Sequence, residues 1–279
     1  MELSAIAGVH QDAAFRIKRL WLGHQSVRHT RLFCVGIEKS GTSSVSRMFT
    51  RNVRAVHEPQ ALTLIDKFLE WNHGRISERE MTEWVRARDR EMALEVDSSW
   101  LNILILDILV REFPEARFVL TLRDCYSWLN SCFNHALRLR AGPVDPRWDQ
   151  LMELRFRRGN SIHATEERVL REKGFYTLDN YFSRWVEHNE AALATVPPER
   201  LFIVRTHQIR QYAHDIAAFA GLPRDTIRLE RTHEFQNPFR HQIIREIDRN
   251  FLERKVEQHC RPLMTQFFPE IKSLDDATL

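Results

Sequence analysis

Apolar residues in this chain gather into short unbroken runs, separated by longer stretches in which they recur every three or four positions. RLFCVGI (31–37), EMALEVD (91–97), ARFVLTL (116–122) and RLFIVRT (200–206) are runs of the first kind, and VRAVHE (53–58) is a weaker one. A run without alternation predicts a strand covered on both faces, as in a parallel sheet. Helical patterns lie between the runs: SSVSRMFTRN, ALTLIDKFLEWNHG, SWLNILILDILVREF and DCYSWLNSCFNHALRLR. Strand and helix alternating in this way predict an α/β fold, doubly wound, with a central parallel β-sheet flanked by helices.

From 141 to 175 the pattern changes. AGPVDPRWDQ carries two prolines and a glycine, and RFRRGNSIHATEERVLREKG is strongly charged. This segment reads as a helical or loop insertion rather than a second domain, because one more core strand follows it. FYTLDNYFSRWVEHNEAALATVPP predicts a long amphipathic helix ending at Pro197-Pro198. QIRQYAHDIAAFAGLP predicts another, stopped by Gly221 and Pro223, and a last helix is expected over about 240–267. The expected organisation is one domain over 1–279: a core at about 30–225, an N-terminal extension at 1–29, and a C-terminal loop and helix at 226–279.

Composition narrows the function classes. Hydrophobic residues make up 43% and charged residues 28%, the balance of a globular chain. Forty-one basic against 38 acidic residues give +3, so nucleic acid is not an expected partner. The four cysteines (Cys34, Cys125, Cys132, Cys260) make no CxxC pair, and the 13 histidines no HExxH spacing, so no metal site is expected. Such cysteine usage fits a reducing, cytoplasmic location. MELSAIAGVHQDAAF lacks the build of a secretory signal, and LNILILDILV is short and contains Asn102 and Asp107, so no membrane span is expected. Nothing in the sequence sets the oligomeric state.

Chemistry concentrates in two places. After the first strand comes Gly36-Ile37-Glu38-Lys39-Ser40-Gly41-Thr42-Ser43-Ser44. Its glycines have the spacing of a Walker A loop, but Thr42 occupies the lysine's place and Lys39 lies inside the loop. Backbone N–H groups of residues 40 to 44, with the hydroxyls of Ser40, Thr42, Ser43 and Ser44, predict an anion cradle at a helix start. An ordinary turn capped by one hydroxyl is the plainer alternative. After ARFVLTL, Arg123 leaves the sheet at its carboxyl end, with Ser131 eight residues later, about two helical turns on. An arginine there can grip a second phosphate bidentately, with a serine adding a third bond.

Taken together, strand–EKSGTSS–helix and strand–LRDCYSWLNS resemble the PAPS-dependent sulfotransferase family. Its members carry a 5′-phosphosulfate loop of the KSGT(T/S) type and a 3′-phosphate motif with arginine and serine eight apart. FSRWVEHNEAALATVPPERLFIVRTHQIRQYAHDIAAFAGLP is similar to the family's later helix–strand–helix run, so the likeness covers most of 31–223. The resemblance implies a P-loop NTPase-like sulfotransferase fold. It also implies metal-independent, in-line transfer of a sulfuryl group from PAPS (3′-phosphoadenylyl sulfate), leaving PAP. The acceptor would be a hydroxyl, less readily an amine, of a small molecule, glycan or glycolipid. Lys39 would stabilise the leaving oxygen; Lys39, Ser40, Gly41, Thr42, Ser43 and Ser44 would hold the 5′ end, and Arg123 and Ser131 the 3′-phosphate. Glu58 is the first choice for the base and His57 the second. Glu58, Asp97 and Ser98 are expected to touch the acceptor, with Asp97 open as an alternative base.

The chain departs from the family at Thr206-His207-Gln208, where an acidic pair and leucine are common, and at Asp97-Ser98-Ser99-Trp100, where lysine-threonine-proline or lysine-serine-proline is common. Cys125 stands where proline is usual. These departures bear on the acceptor pocket more than on the nucleotide loop. Arg155, Arg157 and Arg158 read as a solvated face or an acidic-substrate groove, and Asn237-Pro238-Phe239-Arg240 as a late loop over the cofactor. A P-loop small-molecule kinase, which needs magnesium and a lysine after Gly41, and a non-catalytic PAP- or anion-binding protein are the alternatives.

Overall fold

The computed structural model describes residues 28–50, 52–139, 145–156, 162–232 and 241–279. The expected N-terminal extension lies almost wholly outside these residues, as do Arg157, Arg158 and the 237–240 loop. In chain order the elements are β1 (Leu32–Cys34), α1 (Thr42–Arg47), β2 (Ala55–His57), α2 (Ala61–Asn72), α3 (Glu78–Met92), β3 (Val96–Ser98), α4 (Leu106–Glu112), β4 (Arg117–Leu122) and α5 (Cys125–Leu139). Then follow α6 (Pro146–Phe156), α7 (Arg168–Glu172), α8 (Leu178–Thr195), β5 (Leu201–Arg205), α9 (Ala213–Phe219), α10 (Arg249–His259) and α11 (Arg261–Phe267). The described residues divide into two compact units, one within 1–122 and 191–235, the other within 123–190 and 236–279. No helix among them is long and apolar enough to cross a membrane.

The first unit holds a five-stranded sheet in the order β2-β3-β1-β4-β5, with every pairing parallel. Successive side chains point to opposite faces of a strand, and both faces here are covered. Leu32, Cys34, Val96, Val119 and Val204 pack with Val45 of α1, with Met48 directly after it, and with Ala213, Ile216 and Ala217 of α9. Phe33 points the other way, its ring centroid 5.6 Å from that of Phe118 and 6.1 Å from that of Phe113. Two covered faces are the reason the strands read as continuous apolar runs. Burial also pushes the Cys34 thiol above its ordinary pKa, as suits an unreactive core group.

Two elements differ from expectation. The EMALEVD run was expected to be strand throughout, yet its first residues close α3, and the strand is confined to Val96–Ser98. The single last helix is broken instead: a 3₁₀ turn at Ile243–Glu246 precedes α10, and Pro262 begins a separate α11 after Cys260. Proline has no N–H to continue the ladder of the helix before it.

The second unit contains the expected insertion, whose described residues form α6, a 3₁₀ turn at Thr165–Glu167 and α7. Its core is aromatic. Phe156 lies flat on Tyr176 with centroids 4.1 Å apart, Phe133 stacks on Phe175 at 4.9 Å, and Tyr181 meets Phe133 edge-on at 5.4 Å. The buried Arg184 guanidinium sits 4.9 Å over the Phe156 ring.

Candidate functional site

In a parallel sheet all carboxyl ends lie along one edge, and open α/β sheets bind ligands there. The segment joining β1 to α1 crosses that edge, and its shape follows from a few fixed contacts. Gly36 lies so close to β4 that a Cβ would stand 1.8 Å from Thr121 Oγ1 and 2.7 Å from Thr121 O. Ser40 turns inward: its hydroxyl donates to Ile37 O at 2.6 Å and lies 2.7 Å from Thr121 Oγ1, while its N–H donates to Ile37 O at 3.1 Å. Ser40 thus shapes the loop with both of its donors. Lys39, at φ 66, and Gly41, at φ 105, take left-handed backbone conformations on either side of it.

Gly41 is also the N-cap of α1, and no side chain caps this helix. The capping alternative for the serines and threonine therefore fails here. The first N–H groups of a helix have no partner within it, which is the condition for an anion cradle. A Cβ on Gly41 would come 2.6 Å from Ile209 Cδ1, the movable end of that side chain, so it is the φ of 105 that calls for the second glycine. Thr206, the first residue after β5, donates its hydroxyl to Ser40 O at 2.5 Å, with Leu122 O 3.0 Å away. Sequence reasoning had met Thr206 only as a departure from the family; it holds the loop from the β5 side.

Thr42, the first residue of α1, is held twice. Ser98 Oγ donates to Thr42 O at 2.6 Å, and His57 Nε2 lies 3.1 Å from Thr42 Oγ1. His57 pairs with Ser98 in the β2–β3 register, so one strand pair delivers both contacts. Ser43 and Ser44 follow on α1, both partly exposed.

Glu58 comes directly after β2 with φ 49, and its N–H donates to Ser98 O at 3.0 Å. Its carboxyl lies 3.8 Å from His57 Nε2, and both side chains are about a quarter exposed. The two titrate in reversed order. Burial, together with the nearby Glu38 carboxylate, raises Glu58 to about 7 despite the opposing Lys39 charge. Burial and the charges of Arg47 and Lys39 lower His57 to about 4. At neutral pH the histidine is an uncharged ring, and the glutamate is poised between acid and base.

Asp97 does not share this setting. Neighbouring strand residues face opposite ways, and Asp97 points to the Phe33 side of the sheet. There its carboxylate takes a bond from Arg88 at 2.9 Å and one from Asn102 Nδ2 at 3.1 Å, all three residues being buried. Arg88 also donates to Pro59 O at 2.9 Å. Asp97 thus belongs to a buried ion pair, and Ser98 supports Thr42.

In the second unit, Arg123 is the first residue after β4. Trp185 Nε1 donates to its carbonyl at 3.0 Å. Its Nε donates to Ser127 Oγ at 3.0 Å, and Ser127 in turn bonds the Asp124 carboxylate through both its N–H, at 2.9 Å, and its hydroxyl. Burial lowers the Arg123 pKa below its ordinary value, leaving it a cation. Ser131 lies one turn beyond Ser127 on α5, partly exposed. Ser127, unmarked in the sequence reading, is thus the serine that orients the arginine, and a D-x-x-S spacing at the start of a helix was its signal.

Among the described residues no group of three or more His, Cys, Asp or Glu side chains is placed to hold a metal ion. The sulfotransferase domain family matches residues 31–210 of the chain. No curated protein matches it in sequence. Among solved structures, the sulfotransferase from Alicyclobacillus acidocaldarius is similar, with a TM-score of 0.47 and 17% identity, covering 85% of this chain and 96% of that one.

Proposed function

This chain belongs to the sulfotransferase domain family, and we propose that its sulfuryl donor is PAPS and its acceptor a hydroxyl, less readily an amine, of a small molecule, glycan or glycolipid. The observation that carries this reading is Glu58 at the carboxyl edge of the sheet, directly after β2 and within reach of the Lys39 charge. A loop ammonium acts there on a carboxyl held at about 7. Sulfuryl transfer needs positive charge where the leaving oxygen develops and a base for the acceptor proton. Lys39 takes the first role and Glu58 the second. The 5′-phosphosulfate is received by the backbone N–H groups of Gly41, Thr42 and Ser43 at the uncapped start of α1 and by the Thr42, Ser43 and Ser44 hydroxyls, with Ser40 shaping the loop from within. Arg123 and Ser131 carry the family's 3′-phosphate motif, with Ser127 fixing the arginine.

The reading takes the whole chain as one metal-independent sulfotransferase domain working in the cytoplasm, with no nucleic-acid partner. A kinase needs a lysine where Thr42 stands. The test is a radiolabelled PAPS transfer screen over phenols, sugars, lipids, amines and peptides, joined to thermal shifts with PAP and ATP. PAP is expected to raise the melting temperature and ATP to do so far less; the reverse order refutes the donor assignment. Lys39→Ala is expected to slow transfer on the order of a hundredfold or more, and a near-normal rate removes the lysine from the leaving-group role.

A further inference from the structure

We propose that His57 is a positioning residue whose Nε2–H donates to Thr42 Oγ1, leaving the Thr42 hydroxyl proton to point at the anionic donor. The proposal rests on the sulfotransferase reading and deepens it at the same site.

The argument begins from proton counting. A hydroxyl has one proton and two lone pairs, and a neutral imidazole has one N–H and one bare nitrogen. Across the 3.1 Å between Thr42 Oγ1 and His57 Nε2 only one proton can lie. If Thr42 supplied it, the hydroxyl would offer only lone pairs to an incoming phosphosulfate oxygen, and like partial charges would face each other. If His57 supplies it, the Thr42 proton is released for the anion, and the loop gains a directed donor at the start of α1.

The surroundings favour the second arrangement. The charged and titratable groups acting on His57 are Lys39 in the loop, Arg47 on α1 and Glu58 beside it. Burial and, after it, the two cations oppose a second proton on the ring, so the imidazole stays neutral with a single tautomer to choose. Glu58 Oε1 lies 3.8 Å from Nε2, which favours an N–H there over a bare lone pair. Thr42 is meanwhile held at its carbonyl by Ser98, which seats its backbone beside the ring. A ring already bearing its proton at Nε2 cannot receive the acceptor's proton at that atom, which leaves proton removal to Glu58.

Two measurements on the full chain test this. In nitrogen-15 spectra of the nucleotide-free protein, His57 is expected to stay in the neutral Nε2–H form from about pH 5.5 to 8. A proton on Nδ1, or titration near the ordinary histidine value, overturns the proposal. In binding, His57→Leu is expected to weaken PAP about tenfold, while His57→Gln, which keeps an amide donor near the place of Nε2, stays within about threefold of the parent. Thr42→Val removes the shared hydroxyl, so adding His57→Leu to it is expected to cost nothing further. Unchanged PAP affinity in His57→Leu, or fully additive losses in the double variant, overturns the proposal. Failure of the unaltered protein to bind PAP overturns the donor assignment instead, and the tautomer result still judges the His57–Thr42 bond.

Discussion

Replacing Glu58 by glutamine removes a charge that the folded protein resists, and the size of that resistance can be worked out. The carboxyl titrates at about 7 when folded against an ordinary 4.5. Below 4.5 both states hold the proton and the group is neutral. As pH rises, the unfolded chain releases its proton first, so stability attributable to this residue is lost progressively up to about 7. The full difference of about 2.5 pH units corresponds to roughly 3 kcal/mol. A side chain about a quarter exposed keeps some water, so we take about 2–3 kcal/mol at pH 8.5 and under about 1 kcal/mol at pH 5. Glutamine has no such dependence, and all other titrating groups are shared by the two proteins. Thermal unfolding of both at the two pH values is the assay. At roughly 2 °C per kcal/mol for a chain this long, Glu58→Gln should melt about 4–6 °C higher than the parent at pH 8.5, and nearly together with it at pH 5. Transfer by the same variant should fall by about two to four orders of magnitude, since the base is gone. A melting difference that does not change with pH, or a variant less stable at pH 8.5, would mean that Glu58 is anionic throughout and that its burial does not hold the proton.

Two further substitutions separate scaffold from site. Gly36→Ala drives a methyl into Thr121 Oγ1 and the Thr121 carbonyl, and denaturant unfolding should show a loss of about 1–3 kcal/mol; an unchanged midpoint would mean that the β1–α1 loop does not press on β4. Asp97→Asn uncovers the buried Arg88 charge and should destabilise by about 3–5 kcal/mol, with PAP affinity per folded molecule unaltered. A stable protein with weakened nucleotide or acceptor binding would return Asp97 to the site.

The strands were legible because burial on both faces leaves a plain signature: RLFCVGI and ARFVLTL contain the observed β1 and β4, and VRAVHE, the weakest run, contains β2. The helix α3 went unread because EREMTEWVRARDREM is largely charged and shows few apolar positions. Its start was nevertheless marked, since Ser77 and Glu80 form a reciprocal capping box. That omission bears on how Asp97 was read. Without α3 there was no Arg88 to claim the carboxylate, and a strand-end acid looked available for chemistry. Lys39, His57 and Glu58 were legible as candidates from their place after β1 and β2, but their ranking was not. The reversed titration of His57 and Glu58 arises from burial and from Glu38, Lys39 and Arg47 converging through space, which no linear spacing displays.

Lys39 at φ 66, Glu58 at φ 49 and Gln60 at φ 51 are side-chain-bearing residues in backbone shapes that glycine or asparagine adopts more easily. Strain of this kind costs of order 1–3 kcal/mol per residue, so drift toward glycine or asparagine at these positions would make the fold sturdier while deleting the lysine and the glutamate. Purifying selection on folding alone therefore erodes this site, and only continued demand for the reaction preserves it. Descendants that have retired from catalysis should be recognisable by Gly or Asn at 39 and 58 above an otherwise intact sheet, and they should melt later than their working cousins.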